Sequence, residues 1–210
     1  ITAKLSMGIA KESSTFNVAS TCSYAMTPDE AAQYDAWGRK ESELEAEKKT
    51  KNDIDLQKKN WFLGEGKRIF HENSFDFILE SLGVFSNKDL VKMATIIIIE
   101  KLAIFQNQIE EGSFPIAKSQ GTIPNSFDLT LQNEDYTIGK ILECILYEHH
   151  YITDGTLSYV GFIKKHPHDD DSLIRMAFKE NVDETSPLQY LSLAIKKGQE
   201  IFTSIHEQFN

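Results

Sequence analysis

The chain has 210 residues, 26% of them charged and 40% hydrophobic, proportions ordinary for a globular protein of one or two domains with a real core. Its formal charge of −10 argues against a protein whose main task is gripping nucleic-acid phosphates. Two cysteines, Cys22 and Cys144, without a CxxC pair exclude a disulfide framework and a four-cysteine zinc site within the chain.

In chain order, Ile1, Thr2, Ala3, Lys4 and Leu5 read as a strand entered midway. Residues 28–59 are dense in Glu, Lys and Asp and predict a solvated helix or insertion, held by side-chain pairs worth about 0.2–0.5 kcal/mol each. Trp37, Trp61 and Phe62 stand out there and are expected to tuck against the domain as buried area. Gly64 and Gly66 precede a lysine but lack the spacing of a phosphate-binding loop, so 64–68 reads as a plain loop. Phe75, Phe77 and Leu79 alternate with Asp76, Ile78 and Glu80, the period of a strand. Ser86, with Asp89 three residues on, is placed to cap a long helix whose apolar positions include Leu90, Met93, Ala94, Ile97, Ile98, Phe105 and Ile109. Within it Ile96, Ile97, Ile98 and Ile99 point around most of the circle, which predicts a turn with no wet side. One cover would be its own sheet and the other a second helix. Residues 112–125 have the Gly, Pro and Ser of a linker that reaches at most ~45–50 Å when extended.

The second half is more distinctive. Phe127, Leu129 and Leu131 alternate with Asp128 and Thr130 as in a half-buried strand. Ile138, Ile141, Leu142, Ile145 and Leu146 then recur at helical spacing, with Asp135 or Thr137 available as cap. Turn chemistry at 153–156 leads to strands over 157–165 and 173–179, separated by the polar loop 166–171. Ser186 and Pro187 are expected to start a last helix, with Leu188, Leu191, Ile195, Phe202, Ile205 and Phe209 on one stripe. His149 and His150 are expected to complement the carbonyl end of the preceding helix, and Cys144 to lie in or near the core.

Asn133, Glu134, Asp135, Thr137, Gly139 and Leu142, followed by Tyr159, Val160, Gly161, Phe162, His166 and Pro167, form an ordered set of short motifs. This set resembles the smaller alpha-like assembly subunits of multisubunit RNA polymerases, the archaeal L subunit or the eukaryotic eleventh subunit. Near the start, Lys4 to Ser13 and Phe16 to Ala19, resuming at 75–82, are similar to the larger partner, the archaeal D or eukaryotic third subunit. Ala10 stands where that pattern has its second glycine, and Ser13 or Ser14 where it has a histidine. The resemblance implies two modules joined in one chain, an arrangement similar to the fused subunits of large nucleocytoplasmic DNA viruses. It also implies a leading strand and an Arg-rich helix upstream of Ile1. A tether between modules would raise their effective concentration to roughly millimolar.

The expected architecture is α+β. Residues 1–27 form part of a third-subunit-like module, 28–70 a charged insertion, 71–111 an end strand and long helix, 112–125 the linker, and 126–210 an eleventh-subunit-like module. On the physical side, Gly139 is expected to let a neighbour approach the first helical turn, and Gly161 to thin a strand where a helix crosses. The expected module-pairing interface comprises Leu90, Ala94, Ile97, Ile98, Phe105, Ile138, Ile141, Leu142, Ile145, Leu191, Ile195 and Phe202. The implied partners are the two large polymerase subunits and a small tenth- or twelfth-type subunit, with no direct nucleic-acid contact. No cofactor or catalytic residue is expected. No apolar run approaches the ~20 residues that span a bilayer, and no secretory leader opens the sequence, so an intracellular protein is the expectation. Two other readings stay open. One is a small metal-dependent enzyme built on His166, His168, Asp169, Asp170 and Asp171, which are residue types that can hold a divalent cation. The other is a stand-alone dimeric interaction module.

Overall fold

The structure is a computed structural model that describes residues 6–209, so the strand expected over 1–5 lies outside the described residues. The protein is α+β and divides into two compact units, 1–87 and 88–210.

The first unit is built on an antiparallel ribbon of β1 (Ala19–Pro28) and β2 (Phe70–Ser81). The chain between these strands forms a helical arm, α1 (Glu30–Ala46) and α2 (Lys51–Leu63). Asp29 caps α1 by accepting from the Ala32 N–H, and Thr50 caps α2 by accepting from the Asp53 N–H. Few apolar residues are available, and the two helices bury some of them against each other. Trp37, Leu44, Ile54 and Trp61 make a small core of their own, with the Trp37 and Trp61 rings 5.8 Å apart. Gly66 lies under the Trp61 ring, where a Cβ would come within 2.8 Å of Cζ3, so the expected plain loop is a short 3-10 turn (Glu65–Arg68) closing this core. The charged insertion is thus a folded hairpin of helices.

In the ribbon, Cys22, Tyr24 and Met26 face across to Leu79, Phe77 and Phe75 on one side, while Ser23, Ala25 and Thr21 meet Ile78, Asp76 and Glu80 on the other. A two-stranded ribbon has too little area to hide its apolar side. Tyr24 and Phe77 accordingly remain 66% and 74% exposed.

The second unit has two layers. Its sheet contains β3 (Ile116–Lys118), β4 (Ser126–Leu131), β5 (Leu157–Ile163) and β6 (Ser172–Phe178), all antiparallel in the order β3-β4-β6-β5. Phe127, Leu129 and Leu131 of β4 point to the same side as Ile174, Met176 and Phe178 of β6 and Val160 and Phe162 of β5. Against that side lie α3 (Asn87–Glu110), α4 (Tyr136–Leu146) and α5 (Thr185–Gln208), and one continuous core joins all three helices to the sheet.

Several expectations change here. The long helix α3 belongs with the four-stranded unit, and the boundary falls at 87/88 rather than in 112–125. Segment 112–125 is no free tether: Phe114 is buried, Ile116 pairs with Leu129 as the edge strand β3, and the Ser126 hydroxyl donates to the Ile123 carbonyl. Three residues are too few to show an alternating period in the sequence. Helix α5 begins at Thr185, one residue before the expected cap, so Ser186 lies inside the first turn. Asp183 does the capping, accepting from the Ser186 N–H at 3.2 Å and from the Thr185 and Ser186 hydroxyls at 2.8 and 2.9 Å.

Those bonds, first from the Thr185 hydroxyl and then from Ser186, favour the charged form and hold the Asp183 carboxyl below its ordinary value. A depressed folded-state pKa means stability that is present above the unfolded carboxylate value and is lost as pH falls through the folded one. Asp183→Ala should therefore lower the thermal midpoint at neutral pH, and the gap to the unsubstituted protein should close on acidification. A gap that stays constant down to strongly acidic pH would remove the cap from the account.

Candidate interaction surface

The best-organised part of the molecule is where α3 lies along α5. Four contacts fix their relation: the Thr95 hydroxyl with His206 Nδ1 at 3.1 Å, Gln199 Nε2 with the Ile99 carbonyl at 3.5 Å, Leu102 beside Gly198, and Ser192 Oγ with Gln106 Oε1 at 2.9 Å. Rising numbers on α3 meet falling numbers on α5, so the helices run antiparallel. Gly198 allows the close approach, since a Cβ there would stand 3.0 Å from Leu102 Cδ1.

Of the residues expected to pair modules, Phe105, Ile138, Leu142, Ile145, Leu191 and Ile195 are buried in this single core, and Ile98 and Ile141 pack against it. Leu90 and Phe202 are half-buried. Ala94 and Ile97 are not part of it. Ile97 is 50% exposed and Ile96 41% exposed, which corrects the expectation of a turn without a wet side. At 100° per residue, the face that buries Thr95, Leu102 and Phe105 turns Ile97 well away from α5.

The ordered motif stitches this unit together. Asn133 takes a left-handed conformation, φ 58°, that Asn tolerates, and its N–H donates to Asp171 Oδ1 at 2.9 Å. Glu134 accepts from Lys101 Nζ of α3 at 2.6 Å, and its carbonyl accepts from the Ser172 hydroxyl of β6 at 2.7 Å. Asp135 caps α4 through the Thr137 N–H. Gly139 sits under the Phe162 ring, where a Cβ would come within 2.8 Å of Cζ and closer still to two other ring carbons. At Gly161 the nearest atoms to a Cβ belong to its own strand and not to a crossing helix, which changes that expectation. The Tyr159 ring from its own strand lies over it on the outer face of the sheet, beside the Arg175–Asp128 pair. That pair is bidentate, at 2.6 and 2.8 Å, and the carboxylate's hydrogen bonds raise the Arg175 pKa further above its ordinary value.

The remaining candidates are structural. In the 166–171 loop, His166 Nδ1 accepts from the His168 N–H, Asp169 accepts from the His166 N–H, and Asp171 is committed to Asn133. Pro167 stands at the tip of this turn. Beside it an open cleft of about 550 Å³ runs between Thr130, Ile163 and Leu173 on the outer sheet face and the loop. Among the described residues no group of three His, Cys, Asp or Glu side chains converges in a way that could hold a metal ion, so the loop's geometry does not support the metal-enzyme reading.

His150 does stand in the last turn of the helical run, but its side chain faces inward. It lies buried in a π-helical turn (Tyr147–Thr153), with Nδ1 2.8 Å from Asp154 Oδ2 and its ring 4.5 Å from that of Tyr190. A His–Asp pair is two members of a hydrolytic triad, but the Thr156 hydroxyl donates to the His150 carbonyl and not to the ring. Cys144 is exposed on α4, contrary to expectation, and partial burial followed by the adjacent Glu148 carboxylate push its thiol pKa up, the opposite of what activates a nucleophile. Sequence reasoning missed Lys101–Glu134, Thr95–His206 and the edge position of Phe162. The Glu134 and Gly139 motif positions signalled that something must meet them, without saying what.

No known protein-family model matches this chain, and no curated protein matches it. Among the described residues no helix is long and apolar enough to cross a membrane.

Proposed function

We propose that this chain is a non-catalytic assembly-platform subunit of a multisubunit DNA-directed RNA polymerase, in which paired alpha-like modules dock the two large subunits. The observation that supports this reading is the helix pair inside the second unit. Helix α3, which follows the third-subunit-like block, lies antiparallel along α5 of the eleventh-subunit-like block, and the motif's Glu134 holds Lys101 across the junction. A hydrophobic, hydrogen-bonded helix pair of this kind is a rigid support, suited to presenting surfaces rather than to chemistry. The exposed apolar side of the β1–β2 ribbon, with Tyr24, Phe75 and Phe77, is of the character that protein partners cover.

In this reading the large subunits hold the catalytic magnesium and the nucleic acid, a small tenth- or twelfth-type subunit joins them, and this chain touches neither DNA nor RNA. Its place is the virion and host cytoplasm if the fused viral arrangement holds, and otherwise the nucleus. Affinity purification of the tagged chain from its native source should bring down both large subunits in stoichiometric amounts. Recovery of the chain alone, or only as a dimer of itself, would end the polymerase reading.

A further inference from the structure

The two edges of the four-stranded sheet are treated differently. An edge strand presents unpaired backbone N–H and C=O groups, and natural proteins blunt such edges with short strands, proline, lysine or bulges. The β3 edge has these guards: it is three residues long, preceded by Pro115 and carrying Lys118. The β5 edge runs Leu157 to Ile163 without a charge or a proline, and its outer-face side chains Tyr159 and Ile163 are 42% and 50% exposed. A register irregularity at its start, between Leu157 and Tyr159, leaves the stretch from Tyr159 onward regular.

One side chain guards it. Glu143, one helical turn after Gly139 on α4, accepts the Phe162 N–H at 3.2 Å, and its other oxygen pairs with Lys140. Phe162 therefore directs its N–H away from β6, and by the two-residue period of a strand Val160 does the same. A carboxylate oxygen on an outward N–H occupies the position that the carbonyl of a neighbouring strand would take.

We propose that β5 is a β-augmentation site, where an extended segment of a protein partner adds as a fifth strand and displaces Glu143 from Phe162. Backbone complementarity sets the class of partner as an extended polypeptide with apolar side chains to meet Tyr159 and Ile163, and excludes a helix. The inference deepens the platform reading and rests on it, since the segment is assigned to a docked large subunit.

The test uses the full chain co-expressed with the two large polymerase subunits. Backbone amide exchange at Val160 should slow by about tenfold or more in the complex relative to the free chain. Val160→Pro removes an outward N–H, which an edge strand tolerates, together with a side chain at the margin of the core, and should weaken capture of the large subunits by about tenfold, with Gly161 still protected by the β5–β6 ladder. Glu143→Ala should strengthen capture by freeing Phe162, and it stands in if Val160→Pro does not fold. Capture by the unsubstituted chain with Val160 exchanging as fast as in the free protein would overturn the strand addition while leaving the platform reading intact. Failure of the unsubstituted chain to capture either large subunit would sink both. Slowing of the same amide in the chain alone as its concentration rises would place a second copy on β5 and overturn the assignment to a partner.

Discussion

Gly139→Ala is expected to destabilise the second unit by about 1–3 kcal/mol, although alanine is the better helix former by roughly 1 kcal/mol. The reason is the Phe162 ring, which occupies the space a Cβ would need. The ring cannot simply retreat, because Phe162 is held on β5 by pairing with Ile174, and its backbone N–H is held by Glu143 from the same helix. Gly38 in α1 is the control. Nothing lies within 4 Å of a Cβ placed there, so Gly38→Ala should stabilise the helical arm by about 0.5–1 kcal/mol. One substitution type thus has opposite signs in the two units. Phe162→Ala combined with Gly139→Ala should cost less than the sum of the single changes, since the smaller side chain vacates the contested space. Both tryptophans belong to the arm's core, so indole fluorescence follows the first unit only. The second unit needs amide exchange or helix circular dichroism as its probe. Additive costs at 139 and 162 would mean that the close approach has no energetic consequence.

Leu102→Ala should cost about 3–4 kcal/mol in the second unit, as a fully buried leucine whose removal leaves a cavity against Gly198 of α5. Ile97→Ala on the same helix should cost under about 1 kcal/mol, because half of that side chain is already in water. The pair of measurements separates two descriptions of α3. If the helix is one-sided, as the structure has it, exchange protection in α5 collapses for Leu102→Ala and is nearly unchanged for Ile97→Ala. If both substitutions are equally costly, the helix is covered all round and the exposure of Ile97 is wrong. Ile97 is also among the residues expected to pair modules. Under the platform reading proposed above, a substitution silent in the isolated chain that impairs capture of the large subunits would assign that residue to an interface.

The local periods were legible wherever a segment was long enough and buried on one side. The alternation around Phe127 and Leu129, the helical spacing from Ile138 to Leu146 capped by Asp135, and the stripe of α5 each correspond to an element of the structure. Periodicity reports that a face is buried. It carries no information on which body buries it, and the four isoleucines of α3 show the difference. Their run reads as covered on all sides, yet α3 is packed on one face and leaves Ile96 and Ile97 partly in water. In the arm the expected solvated helix and buried tryptophans are present, but that two helices share a core of their own was not legible, for the converse reason. The residues that form its core are only two per helix, Trp37 and Leu44 and then Ile54 and Trp61, each pair spaced i, i+7, so charge dominates the composition around them.

By itself the order of residues determined that this is an α+β chain and where most of its longer strands and helices lie, because those properties depend on neighbours within a few positions. Only the tertiary structure decided that α3 sides with the second sheet, that 112–125 supplies an edge strand, that His150 turns inward onto Asp154 and Tyr190, and that Glu143 stands over the open edge of β5. Each of these joins residues far apart in the chain or reverses the side a residue faces. Such choices are settled by which buried contacts can all be made at once.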